Sequence, residues 1–538
     1  MSVAAALRAA GEVAAERAAV VHGDRRISHA ELHARARRIA RALADRGVGP
    51  GDVVAVALYN SPEYLETVLA AFLLGAVPVN INYRYREPEL RYVLQYTDAV
   101  ALVHDDGLAD RVGSVAAELP RLVAVLHVGP DAAGTAGSYD DVAASGPALP
   151  DDDPGSSHGI ILLTGGTTGR PKGVIWDRDG LLGILCGIFR QHDVPVPTTP
   201  AGVRAAVAKL VERDQIPVVL PMSPLMHGTG FFHAVRTLLG GGTVCFCTSR
   251  SLDGHEVWRA VREHRITDMV IVGDAFGRPL VAALTEADKA GTPYDISSLR
   301  RITSSGVIWS VDVKRALLAG GSMTLIDNIS ASEGGPFGIA EARTEDDLAD
   351  GRFALAAVAR VLDENDQDIV PGSGQIGVLA SAGPLPVGYL GDPERSARTW
   401  RVIDGVRYSM PGDLASLDVD GRLVLLGRGD GVVNTGGEKV FPEEVEQALL
   451  AHPAITDAVV FGTPDPRWGQ AVTAMVAPAE ALAGFSDDEL TAHLGDRLAR
   501  YKHPRRLVRA DTIPRTPAGK LNRALAREIA SRTEESTR

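Results

Sequence analysis

The chain has 538 residues, of which 45% are hydrophobic and 23% charged. This excludes wholesale disorder and a disulfide-stapled miniprotein, and leaves room for three or four domains, or for one large domain with a small one. Fifty-five basic against sixty-eight acidic side chains give a formal charge of −13 with no Lys/Arg run, which argues against nucleic acid as a partner.

Three cysteines (Cys186, Cys245 and Cys247) make no zinc set; they read as packing residues in a reducing compartment. The amino terminus, MSVAAALRAAGEVAAER, lacks the charged and unbroken apolar regions of a secretory signal. The most apolar stretch, Val68 to Val79, is too short to span a bilayer. A cytoplasmic protein without a membrane span is expected.

In chain order, residues 30–45 repeat apolar side chains at helical spacing, whereas 53–58 and 99–105 are β-branched apolar runs typical of buried strands. The alternation recurs around Thr243 to Cys247, Asp268 to Val272 and Met323 to Asp327, which predicts a large α/β layered domain. Residues 130–157 read as a loop-prone connection, and 193–217, containing VPVPTTPAG, as a surface excursion. The domain boundary is expected near Gly427. Before it, Asp418 to Gly421 signals a hairpin turn; after it, GRGDG supplies glycines about which the chain can swivel. The expected division is a large domain over 1–427 and a small mobile α+β domain over 428–538. In the small domain Pro442 opens a helix, Ser486 and Glu489 form a capping box, and a last helix runs from about Lys520 to Ser531.

The sharpest local feature is ILLTGGTTGRPKGV, residues 161–174. An apolar strand runs into Thr164, Gly165, Gly166, Thr167, Thr168, Gly169 and Lys172, so bare backbone N–H groups, three hydroxyls and a cation converge in one loop. That is a phosphate cradle. It differs from a Walker loop, because Arg170 and Pro171 stand where Gly-Lys-Ser/Thr would open a helix. The chain has seven lysines, at 172, 209, 289, 314, 439, 502 and 520, and four lie in Gly/Pro-marked loops. Where arginine is the default cation, a loop lysine points to a need for a compact charge with rotatable donors.

Taken in order, TGGTTGRPKG (164–173), PLMHGTG (224–230), SSG (304–306), SASEGG (330–335), YSMPGD (408–413), GRGDGVVNTGGEKVFPEEVE (427–446) and PRTPAGK (514–520) resemble the motif series of the adenylate-forming superfamily, which includes acyl-CoA synthetases, nonribosomal adenylation domains and luciferase. The resemblance covers nearly the whole chain. It implies activation of a carboxylate by ATP with Mg²⁺ to an acyl-adenylate, followed by displacement of AMP by the thiol of coenzyme A.

By the same resemblance the loop at Thr164 to Lys172 holds phosphates, and Glu333 is the Mg²⁺ ligand with Ser332 beside it. Ser305, Gly306, Asn328, Ile329 and Ser330 line the nucleotide. Asp413 accepts the ribose hydroxyls, and Arg428 meets ribose or phosphate. Lys520 is the catalytic lysine, Asp430 the hinge, and His227 the gate between acid and nucleotide. Gly436, Gly437, Glu438 and Lys439 face CoA. Phe231, Ile308, Trp309 and Ala331 are expected at an acyl pocket suited to a bulky hydrophobic acid.

Two departures strike the nucleotide wall. Ile329 stands where the family carries a tyrosine that stacks on adenine, a loss of about 1–3 kcal/mol if nucleobase stacking elsewhere is a guide. Ser305-Gly306-Val307-Ile308-Trp309 replaces Gly-Gly-Ala-Pro-Leu. Three readings therefore stand: a complete acyl-CoA synthetase, an enzyme that takes preformed acyl-adenylate from a separate adenylating enzyme to the thioester, and a non-catalytic acyl-nucleotide binding module. Whether the chain forms a homo-oligomer is left open.

Overall fold

In the computed structural model the chain divides into two compact units, Met1–Gly351 with Ser381–Ser409, and Arg352–Ala380 with Met410–Arg538. The structure describes residues 1–129, 137–164, 171–306, 309–348, 352–428, 431–435, 438–465, 469–479, 486–495, 497–498, 500–516 and 521–535. The fold is mixed α/β in the large unit and α+β in the smaller one.

The large unit begins with α1 (Val3–Val13), β1 (Ala18–His22), β2 (Arg25–Ser28), α2 (His29–Ala44), β3 (Val53–Ala57), α3 (Pro62–Leu74), β4 (Val77–Asn80), α4 (Glu87–Tyr96), β5 (Ala99–Asp105), α5 (Ala109–Ala116) and β6 (Ala124–Val128). It continues through β7 (Gly137–Ser138), α6 (Tyr139–Ser145), β8 (His158–Thr164), β9 (Lys172–Asp177), α7 (Arg178–Leu185), α8 (Gly187–Gln191), α9 (Pro200–Glu212), β10 (Val218–Pro221), α10 (Gly228–Leu239) and β11 (Thr243–Phe246). Then come α11 (Gly254–His264), β12 (Asp268–Ile271), α12 (Gly273–Lys289), β13 (Arg301–Ser305), α13 (Val311–Gly320), β14 (Thr324–Ala331) and β15 (Gly334–Ala342).

Two sheets result. One has the order β15-β14-β13-β12-β10-β11-β1-β2, and the other runs β9-β8-β4-β3-β5-β6-β7, with the short strand Gly388–Tyr389 on the outer side of β9. The central strands are parallel in both, so crossover helices cover their faces and the strands read as continuous apolar runs. α3 is buried on every side; its second half is apolar throughout, and the buried carboxylates of its first half are paired, Glu63 with Arg25 and Glu66 with Arg35. Gly75 ends that helix in the left-handed region (φ 70°), where a side chain would be strained. One core packs α1, α2, α3, α7 and α10, and a second packs α11, α12 and α13 on the far face of the first sheet. The loops after β8, β10 and β13, and the turn between β14 and β15, leave the strands' carboxyl ends, the edge at which open α/β sheets bind ligands.

Two expectations need correction. The stretch 193–217 is not merely a surface excursion: α9 lies within it, with Thr199 capping Gly202 N and Pro200 in the first turn. Val203, Ala206, Val207 and Leu210 are buried at helical spacing. Likewise 130–157 contains α6, started by Ser138, whose hydroxyl accepts from Asp141 N.

The smaller unit pairs Asp413–Leu417 with both Gly377–Ser381 and Leu423–Arg428, all antiparallel. Beyond it, strands Ile455–Asp465 and Gly469–Pro478 form a long antiparallel pair, with Arg506–Arg509 parallel to the second. Helices Pro442–Leu450 and Asp487–Gly495 pack on one core and Arg523–Glu535 on another. Pro442 opens its helix as expected, and Ser486 and Glu489 exchange the expected capping bonds. The last helix follows the loop as expected, over Arg523–Glu535. No described helix is long and apolar enough to cross a membrane.

Candidate active site

β8 delivers Thr164 and β9 resumes at Lys172, the two facing each other across the antiparallel pair. Between them Gly165, Gly166, Thr167, Thr168 and Gly169 lie outside the described residues. The return limb is anchored by α4. The Tyr96 hydroxyl accepts from Gly173 N at 3.2 Å and donates to Leu390 O at 2.7 Å, while the Tyr92 hydroxyl reaches Pro171 O at 3.4 Å. The Tyr92 and Tyr96 rings stack 5.6 Å apart.

The turn carrying Ser332 and Glu333 is held by indoles from two directions. Trp176 Nε1 donates to Ser332 O at 3.2 Å and Trp400 Nε1 donates to Glu333 O at 3.0 Å. The Glu333 side chain is buried, with Oε1 accepting from the Tyr389 hydroxyl at 2.8 Å. Its other oxygen has no protein partner among the described residues. A fixed carboxylate with a free oxygen is the hard donor that Mg²⁺ takes, so the site fits that ion. Gly334 follows with φ +147°, and a Cβ there would come 2.9 Å from both Leu385 and Ser409 side chains, so the turn admits no side chain.

Ser305, at the end of β13, meets Ser330 of β14 through their hydroxyls at 2.8 Å, and Asn328 is the register partner of Ser305. Gly306 follows with φ +92°. Ile329 and Ala331 are half-buried and Ser330 is exposed, so this wall presents no ring. Ile308 lies outside the described residues. Trp309 is placed apart from Phe231: it packs in the α12–α13 layer with its indole against Gly277, and Lys314 Nζ is 5.3 Å from its ring. Phe231 is fully buried in the α1–α7–α10 core.

His227 occupies the N-cap position of α10. The loop before it is tied across to the other sheet's connections. Asn60 Nδ2 donates to Pro221 O at 3.1 Å and Ser223 O at 3.3 Å, and its Oδ1 accepts from Leu225 N at 2.7 Å. Tyr64 OH and Asn80 Nδ2 both donate to Leu225 O, at 3.0 and 3.1 Å. A Cβ on Gly230 would lie 2.4 Å from Ser223 O and 2.7 Å from Pro224 O, so the loop folds directly onto the first turn of α10.

In the smaller unit Asp413 and Arg428 are cross-strand partners. Glu438 and Lys439 lie on a strand paired with Val433–Thr435. Asn522 N donates to Pro514 O at 2.9 Å, closing the loop that carries Lys520. Lys520, Asp430, Gly436 and Gly437 themselves lie outside the described residues. Behind this loop Arg523 Nη2 donates to Glu443 at 2.8 Å and to both oxygens of Glu446. Burial pushes the Glu446 carboxyl up to about 7, and the Arg523 guanidinium opposes that rise.

The motif series contained no sign of Asn60, Tyr64, Asn80, Trp176, Tyr389 or Trp400. Asn80, a polar residue closing an apolar strand, is the one with a local signal. A cavity of about 280 Å³ between α1, α2, α3 and α10 is lined by Leu7, Leu65, Val68 and Leu238, and by none of the residues that the motif series marked.

A family model described as AMP-binding enzyme matches residues 7–390, and a second, described as AMP-binding enzyme C-terminal domain, matches residues 444–520. The chain is 38% identical over 518 residues to a 3-oxocholest-4-en-26-oate–CoA ligase of Rhodococcus rhodochrous, covering 94% of this chain and 91% of that protein. It is 31% identical to a feruloyl-CoA synthase of Amycolatopsis sp, covering 94% of each. ATP-bound MatB from Rhodopseudomonas palustris, a solved structure, matches with a TM-score of 0.78 at 27% identity, covering 98% of this chain and 99% of that one.

Proposed function

The chain belongs to the AMP-binding enzyme family, in its acyl-CoA synthetase branch, and from that premise we propose that it converts a bulky hydrophobic carboxylic acid to its CoA thioester through an acyl-adenylate. In the first half-reaction a carboxylate oxygen attacks the α-phosphorus of ATP and the bond to pyrophosphate breaks. In the second the CoA thiol, giving up its proton, attacks the acyl carbon and AMP leaves.

Each step places a demand on charge. The loop Thr164 to Lys172 holds the phosphates by N–H groups, hydroxyls and one cation. Glu333, kept rigid by Tyr389 and Trp400, holds Mg²⁺ with Ser332 alongside; the bound ion neutralises phosphate charge. Asp413 takes the ribose hydroxyls, an ionised acceptor for two donors, and Arg428 lies beside it on the neighbouring strand. Lys520 supplies the cation that lets two anions approach, and Asp430 is the hinge by which it is exchanged for the loop Gly436 to Lys439. His227 gates the acyl side. Free cysteines fit action in the cytoplasm.

The observation that carries this reading is the Glu333 turn, where two indole bonds and a tyrosine bond orient one buried carboxylate, set within a full-length likeness to CoA ligases. Ile329 and Ser330 favour a second reading, in which adenylation is weak and preformed acyl-adenylate is the main substrate. A panel of bulky acids and their synthetic adenylates, scored separately for pyrophosphate and CoA ester, decides. Pyrophosphate from free acid supports the full ligase. Ester from adenylate alone supports the second reading, and neither product overturns both.

A further inference from the structure

The cavity between α1, α2, α3 and α10 combines apolar walls with one buried hydrogen-bonding atom. Leu7, Leu65, Val68, Val235 and Leu238 line it, all buried. Its volume of about 280 Å³ lies at the small end of ligand pockets, roughly 300–1,000 Å³. His29, in the first turn of α2 and 5% exposed, lines it too.

The far side of the His29 ring fixes what this wall offers. Nε2 lies 3.0 Å from Gly242 O, and a carbonyl only accepts, so Nε2 carries the proton. Burial keeps the ring neutral, pulling it down to about 4. Nδ1 is then a bare lone pair, an acceptor, and it has no hydrogen-bond partner among the described residues. It stands beside Gly11, another lining residue, where a Cβ would come 3.8 Å from Nδ1. A buried acceptor without a donor is costly. A water against these apolar walls lacks the roughly two to four polar partners that hold buried water.

The mouth is charged, but its charges are spent on one another. Arg8 Nη1 donates to Asp151 O at 2.7 Å and to its Oδ1 at 3.3 Å, and His33 Nε2 meets the same Oδ1 at 3.1 Å. Glu12 accepts from Arg204 at 2.8 Å. An ionic head group therefore meets only charges that are already paired. We propose that this cavity is a binding site for a neutral amphiphile, an apolar body of medium-chain size whose hydroxyl donates to His29 Nδ1. A carboxylate, which only accepts, does not fit. The site is thus distinct from that of the acid to be activated, and the inference does not rest on the ligase reading.

The test is isothermal titration calorimetry of the full chain with n-octanol, with its isomer heptyl methyl ether, which keeps the oxygen but has no O–H, and with octanoate. Gly11→Leu is the filling variant. A Cβ at this position makes only ordinary contacts, 3.7 and 3.8 Å from His29, and leucine suits a helix better than glycine. The wild type should take up one equivalent of n-octanol that Gly11→Leu does not. At that site n-octanol should bind roughly 2- to 10-fold more tightly than the ether, the range of a net neutral hydrogen bond, and octanoate should not displace it. Should Gly11→Leu not fold, Gly11→Ala sets a methyl group beside Nδ1 and should weaken n-octanol more than the ether. No uptake of n-octanol, or uptake unchanged by filling at Gly11, overturns the site. Equal affinity for alcohol and ether removes the role of His29, and displacement by octanoate overturns the neutral class of ligand.

Discussion

The Tyr389 hydroxyl donates to Glu333 Oε1 at 2.8 Å, and the Tyr389 ring lies 4.8 Å from that of Trp400, whose indole holds the Glu333 carbonyl. One short strand thus orients the side chain of the acid while its neighbour fixes the backbone. Partners of this kind typically contribute 10- to 100-fold to metal affinity or activity. Tyr389→Phe is expected to raise the Mg²⁺ concentration for half-maximal pyrophosphate release by about tenfold. An unchanged Mg²⁺ dependence would remove Tyr389 from this role.

Asn60 joins the two sheets' loops at the gate by satisfying two carbonyls and one amide. Asn60→Leu leaves these groups unpaired and should cost about 1–3 kcal/mol in stability. It should also lower kcat/KM for the acid, since His227 is two residues beyond the amide it holds. Urea unfolding and steady-state kinetics on the same variant check both; wild-type values for both would show the clamp to be dispensable.

Gly230→Ala places a methyl group within 2.4 Å of a backbone oxygen, which cannot swing aside as a side chain can. The loop 222–227 must shift, and a loss of about 1–3 kcal/mol is expected. A thermal midpoint equal to that of the wild type would contradict the packing described.

His29 is buried, and desolvation pulls its pKa from 6.5 down to about 4, partly opposed by its Nε2 contact to Gly242 O at 3.0 Å. The unfolded chain therefore binds the proton more readily than the folded one. The stability is complete above pH 6.5 and is lost as the pH falls from there towards 4, by up to about 3 kcal/mol. His29→Gln should flatten the dependence of the unfolding midpoint over that window; an equally steep dependence would assign the acid loss to other groups.

Much of this was legible in the sequence because the signals are local. The β-branched runs at 53–58 and 99–105 are strands β3 and β5, and Pro442, Ser486 and Glu489 act where capping chemistry puts them. α9 was hidden by the prolines just before it, although Pro200 favours a first turn and the apolar residues after it keep helical spacing. The gate clamp was illegible for a different reason: Asn60 and Leu225 are 165 residues apart, and only the pairing of two sheets' edges brings them together. Tyr389 and Trp400 carry no motif, and their value comes from the turn they flank.

The central claim, that one lysine serves adenylate formation and is not needed for transfer to CoA, is tested most directly by Lys520→Ala in the two half-reactions measured separately. Pyrophosphate release from acid and ATP should fall by roughly 100-fold or more, as expected on losing charge stabilisation at the reacting centre. CoA ester from synthetic acyl-adenylate should stay within a few-fold of the wild type. Equal loss in both half-reactions would contradict the account.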